Sequence, residues 1–150
     1  VVRALMHTLG ITYAESHHLC ETKLNRHPGK GVYTWLYLPK VKQAHGKKIT
    51  QMGRVERNSH CDHKKLTRTK KTKKTMWRNL WSNAKQKFVK VRKEVQVNLK
   101  VKEFIKAYPL GTYLVTVRAH AIAIINGKII GNWNDDKKIN REVFSAYKIA

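Results

Sequence analysis

Apolar residues at helical spacing open the chain. They recur at intervals of three or four positions, as Val2, Leu5, Met6 and Leu9. Gly10 follows at the place where a helix C-terminus favours glycine. Thr12 and Glu15 then have the spacing of a capping box, so a second helix is predicted to begin at Tyr13. Together these signals predict a hairpin of two short helices.

The last third of the chain alternates in the manner of β-strands. Residues 112–125, TYLVTVRAHAIAII, predict one long strand, and the Asn-Gly pair at 126–127 predicts a two-residue hairpin turn. KIIGNW, at 128–133, is then the returning strand, and residues 141–150 offer a last strand. Before the sheet, VKEFIKAYPLG at 101–111 predicts a short amphipathic helix.

One histidine stands inside this apolar run. In the predicted register, His120 lies opposite position 133, flanked by Asn132 and Asn134, and shares a strand face with Thr116 and Arg118. A side-chain amide one strand away can hold an imidazole in one tautomer, as in a Cys-His-Asn arrangement. The spacing alone also fits a histidine whose ring is satisfied by a neighbouring backbone group.

The middle of the chain has weaker signals. Between residues 25 and 60, GVYTWLYLP at 31–39 is the one strand-like piece. Residues 76–95 place apolar residues on a helical stripe, which favours core packing over base stacking: Trp77, Leu80, Trp81, Ala84 and Phe88. The order of elements predicts a single α+β domain over 1–150, with N-terminal helices packed on a C-terminal antiparallel sheet.

The charge balance points to anionic partners. Thirty-two Lys and Arg against nine Asp and Glu give a net charge of +23, which favours contact with nucleic acid or another polyanion. No apolar run is long enough to cross a membrane. Around 64–75, KKLTRTKKTKKT lacks apolar periodicity and is typical of a mobile basic insertion. The candidate nucleic-acid contacts are Lys64, Lys65, Arg68, Lys70, Lys71, Lys73, Lys74 and Arg78.

Two clusters of soft ligands raise the question of a metal. HHLC and HCDH stand about forty residues apart in the sequence. They offer four tetrahedral ligands for zinc, namely His17, Cys20, Cys61 and His63, although the ligand order matches no common zinc finger. The two histidines of HHLC are equally explained as helix-surface residues. No cofactor is predicted apart from this candidate zinc ion.

Both ends of the chain resemble one family. VKEFIKAYPLGTYLVTVRAHAIAIINGKIIGNW and VVRALMHTLGITYAESHHL are similar to the two ends of phage-encoded papain-like cysteine peptidases, over about sixty residues. The resemblance implies a papain-like fold, a peptide or protein substrate, and other phage structural proteins as partners. It implies a location in the phage virion or in the cytoplasm of the infected bacterial cell.

The resemblance also assigns roles. His120 matches the general base, and Asn132 or Asn134 the orienting group, with Asn132 preferred; other members tend to have an Asp nearby. The family places its nucleophilic cysteine just upstream of Val1, where a helix N-terminus lowers the thiol pKa. Neither Cys20 nor Cys61 matches that position.

Two functions follow from these features. The first is a cysteine peptidase acting through a thiolate, His120 and an asparagine. The second is a non-catalytic, basic virion protein that binds nucleic acid on a peptidase-like fold. A third reading is an inhibitor of a host protein that uses the basic surface to grip an acidic partner.

Overall fold

The computed structural model describes residues 1–28, 30–32, 34–54, 66–71, 77–82, 87–92, 94–131 and 134–150. These residues form two compact units. The first unit comprises Val1–Leu66 and Asn98–Ala150, and the second comprises Thr67–Val97.

Two helices begin the first unit, as the sequence predicts. Helix α1 spans Val2–Leu9 and ends at Gly10, whose φ of 69° is left-handed. Helix α2 spans Tyr13–Thr22. The Thr12 amide donates to Glu15 Oε2 at 2.8 Å, and the Glu15 amide donates to Thr12 Oγ1 at 3.3 Å. The predicted capping box is therefore confirmed.

The first unit also contains an antiparallel sheet of six strands. They are β1 Gln43–Ala44, β2 Lys47–Arg54, β7 Thr112–Val117, β8 His120–Ile125, β9 Lys128–Ile130 and β10 Ser145–Ile149. Their order across the sheet is β1-β2-β10-β7-β8-β9. Strand β10, the last in the sequence, lies between β2 and β7. The fold class is thus α+β, with an antiparallel sheet.

Each face of the sheet has its own core. On one face, α1 and α2 pack through Leu5 and Cys20 against Leu114 and Tyr147 of the sheet. On the other, helix α4, Val101–Ala107, contributes Phe104. Phe104 stacks edge-on against Tyr113 with ring centroids 5.5 Å apart. All these side chains are buried, so apolar burial fixes the helices on the sheet.

The prediction of one long strand over 112–125 is wrong. The chain reverses at Arg118 and Ala119, so that Val117 pairs with His120 across a two-residue turn. Ala119 takes the left-handed conformation there, with φ of 59°. Because the alternation restarts after the turn, His120 does not share a strand face with Thr116.

The second predicted turn is confirmed. Asn126 and Gly127 have φ values of 48° and 75°, and Ile125 pairs with Lys128. Both central residues are left-handed, which is the geometry that Asn-Gly favours in tight hairpins.

Two predictions for residues 25–60 are wrong. The strand-like GVYTWLYLP contains a short helix, α3 Thr34–Tyr37, which runs into a 3-10 turn at Leu38–Lys40. The sheet strands of this region are β1 and β2, which the sequence pattern missed. A His45-Gly46 turn with φ of 48° and 74° joins them.

The residues of the second unit that the structure describes form strands. They are β3 Thr67–Lys71, β4 Trp77–Ser82, β5 Lys87–Arg92 and β6 Glu94–Asn98, and they pair as β3 with β6 and β4 with β5. The helix predicted over 76–95 is therefore wrong. Trp81 pairs with Phe88 across an antiparallel hairpin, in keeping with the strand preference of aromatic and β-branched residues.

Candidate functional site

His120 is the first residue of β8 and follows directly on the left-handed Ala119. Its side chain is partly buried, with 24% of its surface exposed. A residue at the tip of a strand, beside a tight turn, has its backbone held by the pairing with Val117 while its ring remains accessible. The fold thus presents one imidazole from a rigid position.

The ring is held by a carboxylate. His120 Nε2 lies 2.7 Å from Asp135 Oδ1, and the Asp135 side chain is only 5% exposed. An ionised carboxylate only accepts hydrogen bonds, so Nε2 is the donor. In the neutral ring, the lone pair is then on Nδ1, which is the nitrogen left to act as a base.

Asp135 is itself fixed from several sides. Lys138 Nζ lies 3.6 Å from Asp135 Oδ1, and the Lys138 amide donates to the Asp135 carbonyl at 2.9 Å. Gly131 lies so close to Oδ2 that a β-carbon at that position would overlap the carboxylate. A glycine at 131 is therefore required for the carboxylate to stay where it meets His120.

A cavity of about 850 Å³ extends from His120 to the start of the chain. Its wall includes Val1 and Val2 at the N-terminal end of α1 together with His120. No side chain caps the N-terminus of α1, so its first amides have no partner within the helix or from a capping side chain.

The cavity is cationic on one side. Arg26, Lys30 and Arg118 line it, and no carboxylate is among its lining residues in the described part of the chain. Arg26 Nη1 is buried and has no hydrogen-bond partner among the residues that the structure describes. Apolar wall is supplied by Val32, Val117 and Phe144, besides the two valines of α1.

A pair of hydroxyl groups completes the wall. Thr116 Oγ1 and Ser145 Oγ are 2.5 Å apart, and both residues are buried. They lie on the adjacent strands β7 and β10, where Thr116 pairs with Ser145 in register. One of the two hydroxyls thus donates a hydrogen bond to the other.

The sequence favours Asn132 as the orienting residue, and the structure describes a different side chain in contact with His120. Asn132 lies outside the described residues, and Asn134 is partly buried next to Asp135. The partner of His120 is Asp135, which follows the predicted pair in the run NWND. The signal for it was the tendency of the resembling family to have an Asp here.

The structure describes only half of the candidate zinc site. His17 Nδ1 faces Glu21 Oε1 at 3.2 Å, and Cys20 is fully buried in the core. Burial raises the pKa of the Cys20 thiol above its ordinary value. Cys61 and His63 lie outside the described residues. Within the described ranges, no three His, Cys, Asp or Glu side chains converge as metal ligands would.

Four of the basic residues predicted to contact nucleic acid are described by the structure, and all four lie in the second unit. Arg68, Lys70 and Lys71 lie on β3, and Arg78 lies on β4. The remaining four lie outside the described residues: Lys64, Lys65, Lys73 and Lys74.

Compared with known proteins, the chain matches no family model, no curated protein and no solved structure. Among the described helices, none has the length and apolar character that crossing a membrane requires.

Proposed function

We propose that the cavity at His120 is the active site of a cysteine peptidase of the papain-like kind. The observation that carries this proposal is the 2.7 Å contact between His120 Nε2 and the buried Asp135 carboxylate, on a cavity that also reaches the N-terminal end of α1. A histidine, its orienting carboxylate and an uncapped helix N-terminus are three parts of a thiol-based acyl-transfer site.

The nucleophile in this proposal is a cysteine at the position that precedes Val1. Its thiol proton passes to Nδ1 of His120, and the thiolate attacks the carbonyl carbon of the substrate peptide. Asp135 keeps Nε2 protonated and stabilises the imidazolium that forms. The amides of the first turn of α1 stabilise the oxyanion. The imidazolium then protonates the leaving amine, and water hydrolyses the thioester with His120 again as the base.

Thiol labelling tests this proposal. We expect the codon before Val1 to encode cysteine and that thiol to react with iodoacetamide at neutral pH. His120→Ala should lower the labelling rate, and Asp135→Asn should lower it less, since the base remains but loses its fixed tautomer. A matched control is His18→Ala, which removes an exposed imidazole on α2. A codon for another residue, or equal rates in all variants, would contradict the proposal.

A second function is favoured by the charge of the second unit. Residues 67–97 carry eleven Lys and Arg against one Glu. We propose that this unit binds nucleic acid through phosphate contacts, as in a basic virion protein, which is compatible with a peptidase in the same chain. Changing Lys70, Lys71, Lys73 and Lys74 to Gln should reduce the slope of log K against log salt by up to about 3.6 on duplex DNA. An unchanged slope would contradict it.

A further inference from the structure

The cavity at His120 is lined by a half-buried positive charge, Arg26, that the proposed reaction does not use. Arg26 Nη1 is shielded from solvent and lacks a hydrogen-bond partner in the described residues. A guanidinium nitrogen that is buried without a partner is costly, because it has lost its hydration without a replacement. Arg26 as a whole is only half-buried and lines the cavity, so a ligand there can supply an acceptor to its guanidinium group.

The other charges of the cavity agree in sign. Lys30 and Arg118 line it as well, while Asp135 is not part of its wall. Arg118 stands in the turn next to His120, so positive charge borders the reacting group directly. A ligand that brings a negative charge is attracted by all three cations, and the attraction of the exposed Lys30 and Arg118 should weaken as salt is added.

The shape and the apolar wall narrow the chemistry of that ligand. A volume of about 850 Å³ is in the range of pockets that hold small ligands or short peptide segments. Val1, Val2, Val32 and Phe144 line the same cavity and give it apolar surface. Apolar side chains next to one anionic group are features of a peptide, whereas a nucleic-acid strand presents sugar and phosphate throughout. Carboxylates also match the planar donor fork of arginine.

We propose that the cavity binds a peptide through a carboxylate that pairs with Arg26. The carboxylate belongs either to an Asp or Glu side chain or to a free peptide C-terminus. This inference rests on the proposed function in one respect: the bound peptide is then the substrate whose carbonyl carbon the thiolate attacks, with His120 as the base.

Calorimetry on the full chain tests this binding without turnover. Three peptides with the same apolar residues are compared: one blocked at both ends with an internal Glu, its Gln counterpart, and the Gln peptide with a free C-terminus. We expect one carboxylate peptide to bind at least about tenfold more tightly than the blocked Gln peptide. The peptide that does so identifies the source of the carboxylate. Equal binding of all three would overturn the inference.

Variants locate the contact. Arg26→Leu should abolish the preference for the carboxylate, and Arg26→Lys should restore part of it, since the charge returns without the planar fork. Arg141→Leu, which removes an exposed arginine outside the cavity, should leave the preference intact. Arg26→Leu should also unfold at the same or a higher urea concentration than the wild type, because it removes an unpaired buried donor. A preference that survives Arg26→Leu would overturn the inference.

The two proposals fail separately. If carboxylate binding depends on Arg26 but no thiol reactivity depends on His120, the binding proposal is supported and the peptidase proposal is contradicted. If the thiol reacts as proposed but the peptides bind equally, the substrate class is wrong. A single-stranded oligonucleotide that displaces the peptide in an Arg26-dependent manner, and binds more tightly, would show that the ligand is a nucleic acid and would also overturn the inference.

Discussion

Replacing Gly131 with alanine should disturb His120 through Asp135, without touching the histidine. A β-carbon at 131 overlaps Asp135 Oδ2, so the carboxylate must move. The φ of Gly131 is not left-handed, and the effect is therefore one of space and not of backbone strain. The contact at risk is the 2.7 Å hydrogen bond to His120.

The size of the effect follows from that contact. A hydrogen bond to a charged group contributes about 1.5–3 kcal/mol to stability, and the Asp135 side chain is only 5% exposed. Gly131→Ala should therefore lower the free energy of unfolding by about this amount in a urea titration. Nitrogen-15 NMR of the imidazole should show that the hydrogen bond donated by Nε2–H is weakened or lost.

The chain offers a matched control and a direct check of cause. Gly31 also lines the cavity, but a β-carbon there meets no atom within 4 Å, so Gly31→Ala should change neither readout for the worse. In an Asp135→Ala background, Gly131→Ala should cost much less, because the group it displaces is gone. Equal effects of the two alanine variants, or full additivity with Asp135→Ala, would refute the reasoning.

Three other predictions concern the same region. Ala119 is left-handed, so Ala119→Gly should stabilise the protein by up to about 1 kcal/mol in a urea titration, whereas Ala119→Val should destabilise it; the opposite order would show that the turn is unstrained. Thr116→Val should cost about 1–3 kcal/mol by stranding the Ser145 hydroxyl, and adding Ser145→Ala should recover much of this; a double variant as unstable as the sum of the two singles would contradict the pairing. Burial raises the pKa of Cys20, so its thiol should resist alkylation at pH values where the unfolded chain reacts. The folded state then retains the Cys20 proton at pH values where the unfolded chain loses it, so the free energy of unfolding should fall as pH rises from the unfolded to the folded pKa of this thiol. Cys20→Ala should flatten this decline at alkaline pH. An unchanged decline would show that other groups cause it.

The sequence was informative where the signals are local. The capping box at Thr12 and Glu15 and the Asn126-Gly127 turn each depend on a few adjacent residues, and the structure has both. Helix α4 likewise follows from apolar spacing in a short window.

Features that depend on distant residues were not predictable in this way. No local signal places β10 between β2 and β7, since that position depends on pairing with strands made much earlier. The turn at Arg118 was missed because Ala119 adopts a conformation that sequence rules reserve for glycine or asparagine. The helical spacing of apolar residues over 76–95 was misleading, because the aromatic and β-branched residues of this segment favour strands and the structure pairs β4 with β5.

The candidate site was predictable only in part. His120 was singled out because it is polar in an apolar run, but Asp135, the carboxylate that contacts it in the structure, was not named among the candidate site residues. Nothing in the sequence pointed to Arg26. It becomes a candidate only because it lines a cavity built from several distant segments, where its Nη1 has no hydrogen-bond partner among the described residues.

The central claim is that His120 exchanges a proton with a thiol at the N-terminal end of α1. The most direct test is the pH dependence of alkylation at a cysteine preceding Val1, whether that cysteine is encoded or introduced there. If the imidazole and the thiol exchange a proton, the rate should stay high well below the ordinary thiol pKa of about 8.5, and His120→Ala should remove this acidic plateau. A rate that follows an ordinary thiol in both proteins would show that the histidine and the helix end do not form one site.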